Sequence, residues 1–140
     1  MSRAITIVSF GHMHTGSSVH HGTQLTVPQA DIGLDVRRLV PALTNTALEN
    51  LTGLDSPVQK LVLAGPEARS LAIQTALSAH ALMDDNDLQQ LTIAVGSTEG
   101  RHRSVVIARH IHTKLAELNI AGLYTLGVAH RDVHRPGQHR

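Results

Sequence analysis

One stretch, residues 91–118, constrains the fold of this chain more than any other. It opens with the apolar run 91–95, whose β-branched residues predict a buried strand. It closes with apolar residues at helical spacing, which predict a helix: Val105, Val106, Ala108, Ile111, Leu115 and Leu118. The glycine-punctuated segment 96–104 is therefore predicted to join the end of a strand to the start of a helix.

This 96–104 loop has the properties of an anion-binding turn. Gly96 and Gly100 allow the backbone to approach a ligand closely, and the helix start has unpaired N–H groups at the positive end of its dipole. The remaining members add hydroxyl, imidazole and guanidinium donors and one carboxylate: Ser97, Thr98, Glu99, Arg101, His102, Arg103 and Ser104. We therefore predict that the whole loop binds a phosphate. The alternative is an ordinary strand–helix turn with two surface arginines.

The spacing of the loop distinguishes it from known phosphate loops. No lysine follows a glycine, as the Walker A motif requires. Ser97 and Arg103 match the Cys-x5-Arg spacing of cysteine phosphatases, but a serine stands where the thiolate nucleophile would be. This substitution favours a binding site without catalytic residues. The alternative is a phosphoryl-transfer or phosphoester-hydrolysing enzyme in which Ser97 acts with His14, His130 and Asp35.

Three further segments have the pattern of short strands, namely residues 4–10, 32–37 and 123–129. Between them, helices are predicted over residues 42–51, from the N-cap Ser56 and Pro57 to residue 65, and over residues 67–83. Strands that alternate with helices indicate an α/β fold. We predict a single domain with a mostly parallel sheet of about four strands, flanked by helices.

Side chains suited to the same site follow the other predicted strands. Asp35 and Arg37 alternate along residues 32–37, and His14 follows the first strand. The carboxyl ends of parallel strands meet at one edge of a sheet, where open α/β proteins bind ligands. We therefore expect Arg37 and Arg103 to neutralise the phosphate, Asp35 to accept hydrogen bonds from ligand hydroxyls or an amine, and His14 to lie nearby. The alternative for Asp35 and Arg37 is an ion pair at the strand end.

Arg103 lies in the first turn of the predicted helix. Its guanidinium is expected to fold back over the phosphate and to form two parallel charge-assisted bonds with it. Arg103→Ala should then weaken ligand binding by about 2–3 kcal/mol and leave the fold intact. Arg101, inside the loop, is expected to face solvent and to matter less.

The composition excludes several classes of protein. The chain has no cysteine, which excludes disulfides and thiolate zinc sites and is compatible with a reducing cytoplasm. The N-terminal residues lack the pattern of a secretion signal, so none is expected, and no apolar run approaches the roughly 20 residues of a membrane span. Phe10 and Tyr124 are the only aromatic residues, which argues against a stacking platform for single-stranded nucleic acid.

Histidines cluster in the loop after the first strand, at positions 12, 14, 20 and 21. Closely spaced imidazoles can share a metal ion, but no carboxylate or cysteine lies close by, so neither a metal nor a cofactor is expected. We expect one domain over residues 1–133, followed by a basic, partly disordered tail over residues 134–140.

Five ordered motifs resemble the RapZ C-terminal domain family of bacterial RNase adapter proteins: IVSFGHMH, DVRRLVP, LTGLDSPV, LTIAVGSTEGRHRSVVIA and HRD. The resemblance implies binding of the amino sugar phosphate glucosamine 6-phosphate, binding of structured RNA or an RNA-processing partner, and self-association into a homo-oligomer. The family's ATP-binding Walker domain precedes this domain and has no counterpart in the sequence, so ATPase activity is not expected.

The family pattern transfers to Asp35, Arg37 and the 96–104 loop, with departures. Ser97 replaces the family's cysteine, and Glu99 replaces the first glycine of a Gly-Gly pair. Residues 41–43 replace an Asn-Pro-His motif, and Met13 replaces a basic residue. A carboxylate beside a phosphate is unfavourable unless it points away or binds an amine or hydroxyl, so Glu99 leaves the identity of the ligand open.

Overall fold

The computed structural model describes residues 2–15, 19–20, 23–24 and 26–135. One sheet contains four parallel strands in the order β4-β5-β1-β6: β1 (Ala4–Gly11), β4 (Ile32–Asp35), β5 (Gln90–Ser97) and β6 (Thr125–His130). Two short strands, β2 (Val19–His20) and β3 (Thr23–Gln24), form a separate antiparallel ribbon. The predicted α/β fold with a parallel sheet of four strands is confirmed.

Three α-helices accompany the sheet within the described ranges: α1 (Ser56–Ala64), α2 (Pro66–Asp85) and α3 (Arg103–Leu118). α1 begins one residue earlier than expected, because its N-cap is Asp55 rather than Ser56. The Asp55 carboxylate does not cap the helix but accepts a hydrogen bond of 2.8 Å from the main-chain N–H of Thr52. None of these helices combines the length and apolarity needed to cross a bilayer.

The predicted helix over residues 42–51 is wrong. The segment contains only one 3₁₀ turn, Thr46–Leu48, before which the Asn45 side chain accepts a hydrogen bond of 2.9 Å from the N–H of Ala47. Asparagine and threonine side chains compete with the helical backbone for hydrogen bonds. The segment also buries little apolar surface, since none of its residues is fully buried and only Leu43, Leu48 and Leu51 are partly buried. It therefore lacks the packing that stabilises short helices.

One core contains buried residues of the sheet and of all three helices. α3 contacts β1, β5 and β6, and α2 packs along α3 through buried small residues, among them Ala72, Ala76 and Ala79. The predicted apolar stripe of α3 is fully buried from Val105 to Leu115, as are Ile5 and Ile7 of β1. This packing holds the start of α3 above the carboxyl ends of β1 and β5.

Two strand boundaries matter for the site. β4 ends at Asp35, so Arg37 lies beyond the strand rather than within it. The N–H of Val36 donates a hydrogen bond of 2.9 Å to the carbonyl of Gly96, which continues the pairing between β4 and β5. β5 extends to Ser97, two residues further than predicted. The four strand ends therefore meet at one edge of the sheet, as expected.

Candidate functional site

The 96–104 loop packs directly against the end of β1. Gly100 has a φ of 75°, a conformation that residues with a side chain rarely adopt. A Cβ atom on Gly100 would overlap the backbone of Phe10 and Gly11, and one on Gly11 would overlap the main chain of Glu99. These two glycines therefore allow two segments of main chain to touch, which determines the path of the loop.

Two serine hydroxyls close the loop from within. The Oγ atoms of Ser97 and Ser104 lie 2.8 Å apart, and the N–H of Gly100 donates a hydrogen bond of 3.1 Å to the Ser97 hydroxyl. Both serines are buried, at 2% and 0% exposure. The Ser97 hydroxyl therefore joins the strand end to the first turn of α3.

The start of α3 offers unpaired donors. His102 is the N-cap residue, and no side chain caps the first turn. No described residue accepts a hydrogen bond from the N–H groups of Thr98, Glu99, Arg101 or His102. Free N–H groups at the positive end of a helix dipole favour an anion.

Arg101 and His102 bind the main chain of residues 50 and 51. Arg101 donates to the carbonyl of Asn50 at 2.9 Å and to that of Leu51 at 3.3 Å. His102 Nε2 lies 2.7 Å from the same Leu51 oxygen and must carry the proton, because a carbonyl only accepts. Burial, followed by the charges of Arg101 and Arg103, lowers the pKa of His102, and its bond to Leu51 opposes this effect. Arg101 thus does not face solvent, contrary to expectation.

Arg103 also differs from the prediction. Its side chain is only 8% exposed, and it donates to the carbonyls of Arg37 at 3.2 Å and Val40 at 2.9 Å. A third bond of 3.2 Å reaches the hydroxyl of Thr98. These contacts join α3 to the chain beyond β4, so we now expect Arg103 to contribute to the stability of the fold as well. A guanidinium has five N–H donors, and these three bonds leave two of them without an acceptor among the described residues.

A cavity of about 430 Å³ lies beside the loop. One wall is formed by residues 42–46 and Glu49, and the other by residues 97–99 and 101–103. Six of the predicted site residues line it: Ser97, Thr98, Glu99, Arg101, His102 and Arg103. The sequence did not reveal the first wall, because those residues were predicted to form a helix.

Asp35 and Arg37 lie outside the cavity lining and pair with each other. Arg37 donates to Asp35 at 2.9 Å from Nε and at 2.6 Å from Nη2, and these bonds lower the pKa of Asp35 to about 2. The alternative of an ion pair at the strand end is thus what the structure shows. His12, which the sequence argument did not select, lies 3.8 Å from Asp35, and burial lowers its pKa. The position of His12 directly after β1 could have indicated that it lies at the same edge of the sheet as Asp35.

The other predicted histidines do not meet Ser97. His14 is 6% exposed, ends the 3₁₀ turn after β1, and does not line the cavity. His130 Nδ1 lies 2.7 Å from the hydroxyl of Ser9 on the neighbouring strand. Within residues 2–15, 19–20, 23–24 and 26–135, no three His, Asp or Glu side chains are close enough to hold a metal ion. The side chains of His20 and His21 lie outside the described part.

Asp132 is a further residue that supports the site. It is completely buried and accepts a hydrogen bond of 2.8 Å from the N–H of Gly11, which in turn packs on the 96–104 loop. Arg131 and Arg135 donate to its two oxygens at 2.9 and 2.5 Å. Arg135 of the predicted tail is therefore bonded to the domain, while residues 136–140 lie outside the described part. The HRD motif was the available signal for Asp132.

Comparisons with a family model and with curated proteins point to the same family. A family model described as the RapZ C-terminal domain matches residues 3–134. A nucleotide-binding protein of Heliobacterium modesticaldum is 32% identical over 136 residues, which cover 94% of this chain and 40% of that protein. A nucleotide-binding protein of Thermus thermophilus is 39% identical over 112 residues, which cover 78% of this chain and 39% of that protein. A nucleotide-binding protein of Rubrobacter xylanophilus is 35% identical over 132 residues, which cover 92% of this chain and 40% of that protein.

The chain spans about two fifths of the length of these curated relatives. The family match covers both walls of the cavity, the 96–104 loop and the buried Asp132. The chain belongs to the RapZ C-terminal domain family.

Proposed function

We propose that this chain is a regulatory binding domain for a small phosphorylated metabolite. The phosphate lies against the N–H groups of the 96–104 loop at the start of α3, and the rest of the ligand occupies the adjoining cavity. The family resemblance favours an amino sugar phosphate such as glucosamine 6-phosphate, and the names of the relatives favour a nucleotide.

The observation that carries this proposal is the uncapped start of α3 beside a cavity of about 430 Å³. That volume falls within the usual range for small-molecule sites. The positive helix end attracts an anion, and Arg103 adds two free N–H donors beside it. Hydroxyl and amide groups on the opposite wall, at Thr44, Asn45 and Thr46, can bind a polar ligand body.

Asp35 and Arg37 have a smaller role in this proposal than in the sequence argument. Each neutralises the other, and both are about half exposed at the carboxyl end of β4. A ligand that reached this edge from the cavity would have to break a two-point ion pair before using either group. We therefore place the phosphate at the loop rather than between Arg37 and Arg103.

The enzymatic alternative has no support in the geometry. A serine nucleophile requires a base that accepts its proton. The hydroxyl of Ser97 pairs with Ser104, whereas His130 pairs with Ser9 and Asp35 with Arg37. The described residues thus hold these groups in separate contacts.

Binding of structured RNA and self-association remain predictions from the resemblance. Three arginines that a basic RNA-binding surface could use are bonded within the domain, namely Arg101, Arg131 and Arg135. RNA affinity, if present, should fall steeply as the KCl concentration rises, because phosphate contacts release counterions.

The decisive test adds a carboxylate to the loop. Thr98 is exposed and lines the cavity, so Thr98→Glu should repel an anion at the helix start without disturbing the core. We expect isothermal titration with inorganic phosphate, glucosamine 6-phosphate and AMP to show binding of phosphate and at least one larger ligand to the parent. In the Thr98→Glu variant this binding should weaken by about tenfold or more, the scale of one charged interaction.

Thr113→Glu is the matched control, because Thr113 is equally exposed but lies on α3 away from the cavity. It should bind like the parent. Equal binding by both variants, or no heat with any of the three compounds at millimolar concentration, would reject the loop as an anion site.

A further inference from the structure

Glu99 is the carboxylate of the 96–104 loop, and it lines the cavity. Its Oε1 atom is buried, and no described residue donates a hydrogen bond to it. A buried carboxylate oxygen without a donor is costly, and most such atoms in folded proteins have a partner. A molecule in the cavity is in a position to supply the missing donor.

The cations near Glu99 are already engaged. Arg101 donates to the carbonyls of Asn50 and Leu51, which follow residues 41–49. Arg103 donates to the carbonyls of Arg37 and Val40, which precede them. Neither donates a hydrogen bond to the Oε1 atom of Glu99. None of the ion pairs among the described residues includes Glu99, although burial lowers the pKa of His102 and of Arg103 and the charge of Glu99 opposes this effect. The same charge acts on any molecule that enters the cavity.

The main chain at Glu99 is held in place. Its carbonyl group lies against Gly11, and the next residue, Gly100, donates its N–H to the hydroxyl of Ser97. A shift of the loop that moved the main chain of Glu99 away from the cavity would break these contacts. In the loop pattern of the family a glycine stands here, so this carboxylate distinguishes the present chain.

We propose that Glu99 determines ligand specificity. Its buried oxygen accepts a hydrogen bond from an amine or hydroxyl of the ligand whose single phosphate is held by the loop, and its charge repels a second phosphate. The inference rests on the proposed function and narrows the class of ligand. It favours monophosphorylated ligands with a hydrogen-bond donor group and disfavours diphosphates and triphosphates. An amine is preferred to a hydroxyl because a cationic donor forms the stronger bond with a carboxylate.

Glu99→Gln tests this directly, because it keeps the shape of the side chain and removes its charge. Two affinity ratios are measured by titration, that of glucosamine 6-phosphate to glucose 6-phosphate and that of inorganic phosphate to pyrophosphate. In the parent, both ratios should be about ten or more, the scale of one charged hydrogen bond. In Glu99→Gln, both should fall several-fold towards one, with pyrophosphate binding more tightly than in the parent.

Glu117→Gln provides the matched control, because it removes a carboxylate from the exposed side of α3, far along the helix from the cavity. Both ratios should stay at the parental value in this variant. Glu99→Gly, the residue of the family pattern, should behave like Glu99→Gln.

The outcomes separate this inference from the function on which it rests. If inorganic phosphate binds the parent but the two ratios are unaffected by Glu99→Gln, the loop is an anion site and Glu99 does not select its ligand. If inorganic phosphate binds neither the parent nor the variant, the proposed function fails and the inference fails with it.

Discussion

At the scale of single residues, burial decides what Arg103 does. The sequence places a guanidinium at the start of a helix, where a phosphate would be its natural partner. In the structure the guanidinium instead satisfies the carbonyls of Arg37 and Val40, which follow β4. An arginine that holds main chain from two segments contributes to stability as well as to ligand binding.

Arg103→Ala should therefore lower the free energy of unfolding by about 2–3 kcal/mol, because it leaves these carbonyls without donors. Arg103→Lys should recover only part of this loss, since one ammonium cannot reproduce the planar fork. Urea denaturation of the variants measures the effect. Arg38→Ala, which changes an exposed arginine of the same segment, is the control. An Arg103→Ala variant as stable as the parent would show that these bonds contribute nothing.

At the scale of elements, the loop and the opposite cavity wall form one unit. Residues 41–49 have almost no regular structure, but both of their ends are bonded to cations around the start of α3. Arg103 holds the near end, and Arg101 and His102 hold the far end at Asn50 and Leu51. The cavity thus keeps its shape through side-chain bonds to the main chain rather than through a helix.

This arrangement predicts that Arg101→Gln loosens the wall without unfolding the domain. Amides of residues 42–49 should exchange with deuterium several-fold faster, because local opening no longer breaks the bonds to Asn50 and Leu51. Exchange within α2 should be unchanged. Arg109→Gln, on the exposed side of α3, is the comparison variant. Equal exchange in residues 42–49 of the two variants would mean that Arg101 does not hold this wall.

At the scale of the whole molecule, half-buried histidines couple stability to pH. Burial is the main cause that lowers the pKa of four of them: His12, His102, His110 and His130. As the pH falls below about 6.5, the unfolded chain binds protons that the folded chain still excludes. Stability must therefore decrease on acidification through this range.

We expect the free energy of unfolding to decrease as the pH is lowered from 7.5 to about 5. The decrease should reach up to about 1.4 kcal/mol per pH unit for each proton that only the unfolded chain binds. Urea denaturation at a series of pH values measures this slope. His130→Asn should reduce the slope and keep a polar partner for Ser9. A stability that is constant over this range would contradict the prediction.

The carboxylates act in a separate, more acidic range. Hydrogen bonds from Arg37 lower the pKa of Asp35, and the bonds from Arg131, Gly11 and Arg135 outweigh burial and lower that of Asp132. A lowered carboxylate pKa stabilises the fold above the unfolded value of 3.8. This contribution is lost only as the pH falls below that value.

Much of the fold follows from local patterns in the sequence. The β-branched run before Gly96 and the helical spacing after Ser104 are local properties, and they predicted β5, α3 and the loop between them. The alternation of strands with helices predicted the parallel sheet, and parallel strands bring their carboxyl ends to one edge. These predictions needed no knowledge of which side chains meet.

The partners of the polar side chains depended on the tertiary structure. Arg103 and Arg37 carry the same charge and the same donors, so the sequence assigned both to one phosphate. The structure separates them, because Arg103 is buried beneath the segment after β4 while Arg37 lies at the exposed strand end beside Asp35. Likewise, residues 42–51 were predicted to form a helix, but only three of their leucines are partly buried against the core, which is too little packing to stabilise a short helix. The sequence alone determined the elements and the edge at which the site lies, because these depend on neighbours along the chain. The tertiary structure alone decided which donors remain free for a ligand, because each hydrogen bond depends on atoms brought together from distant segments.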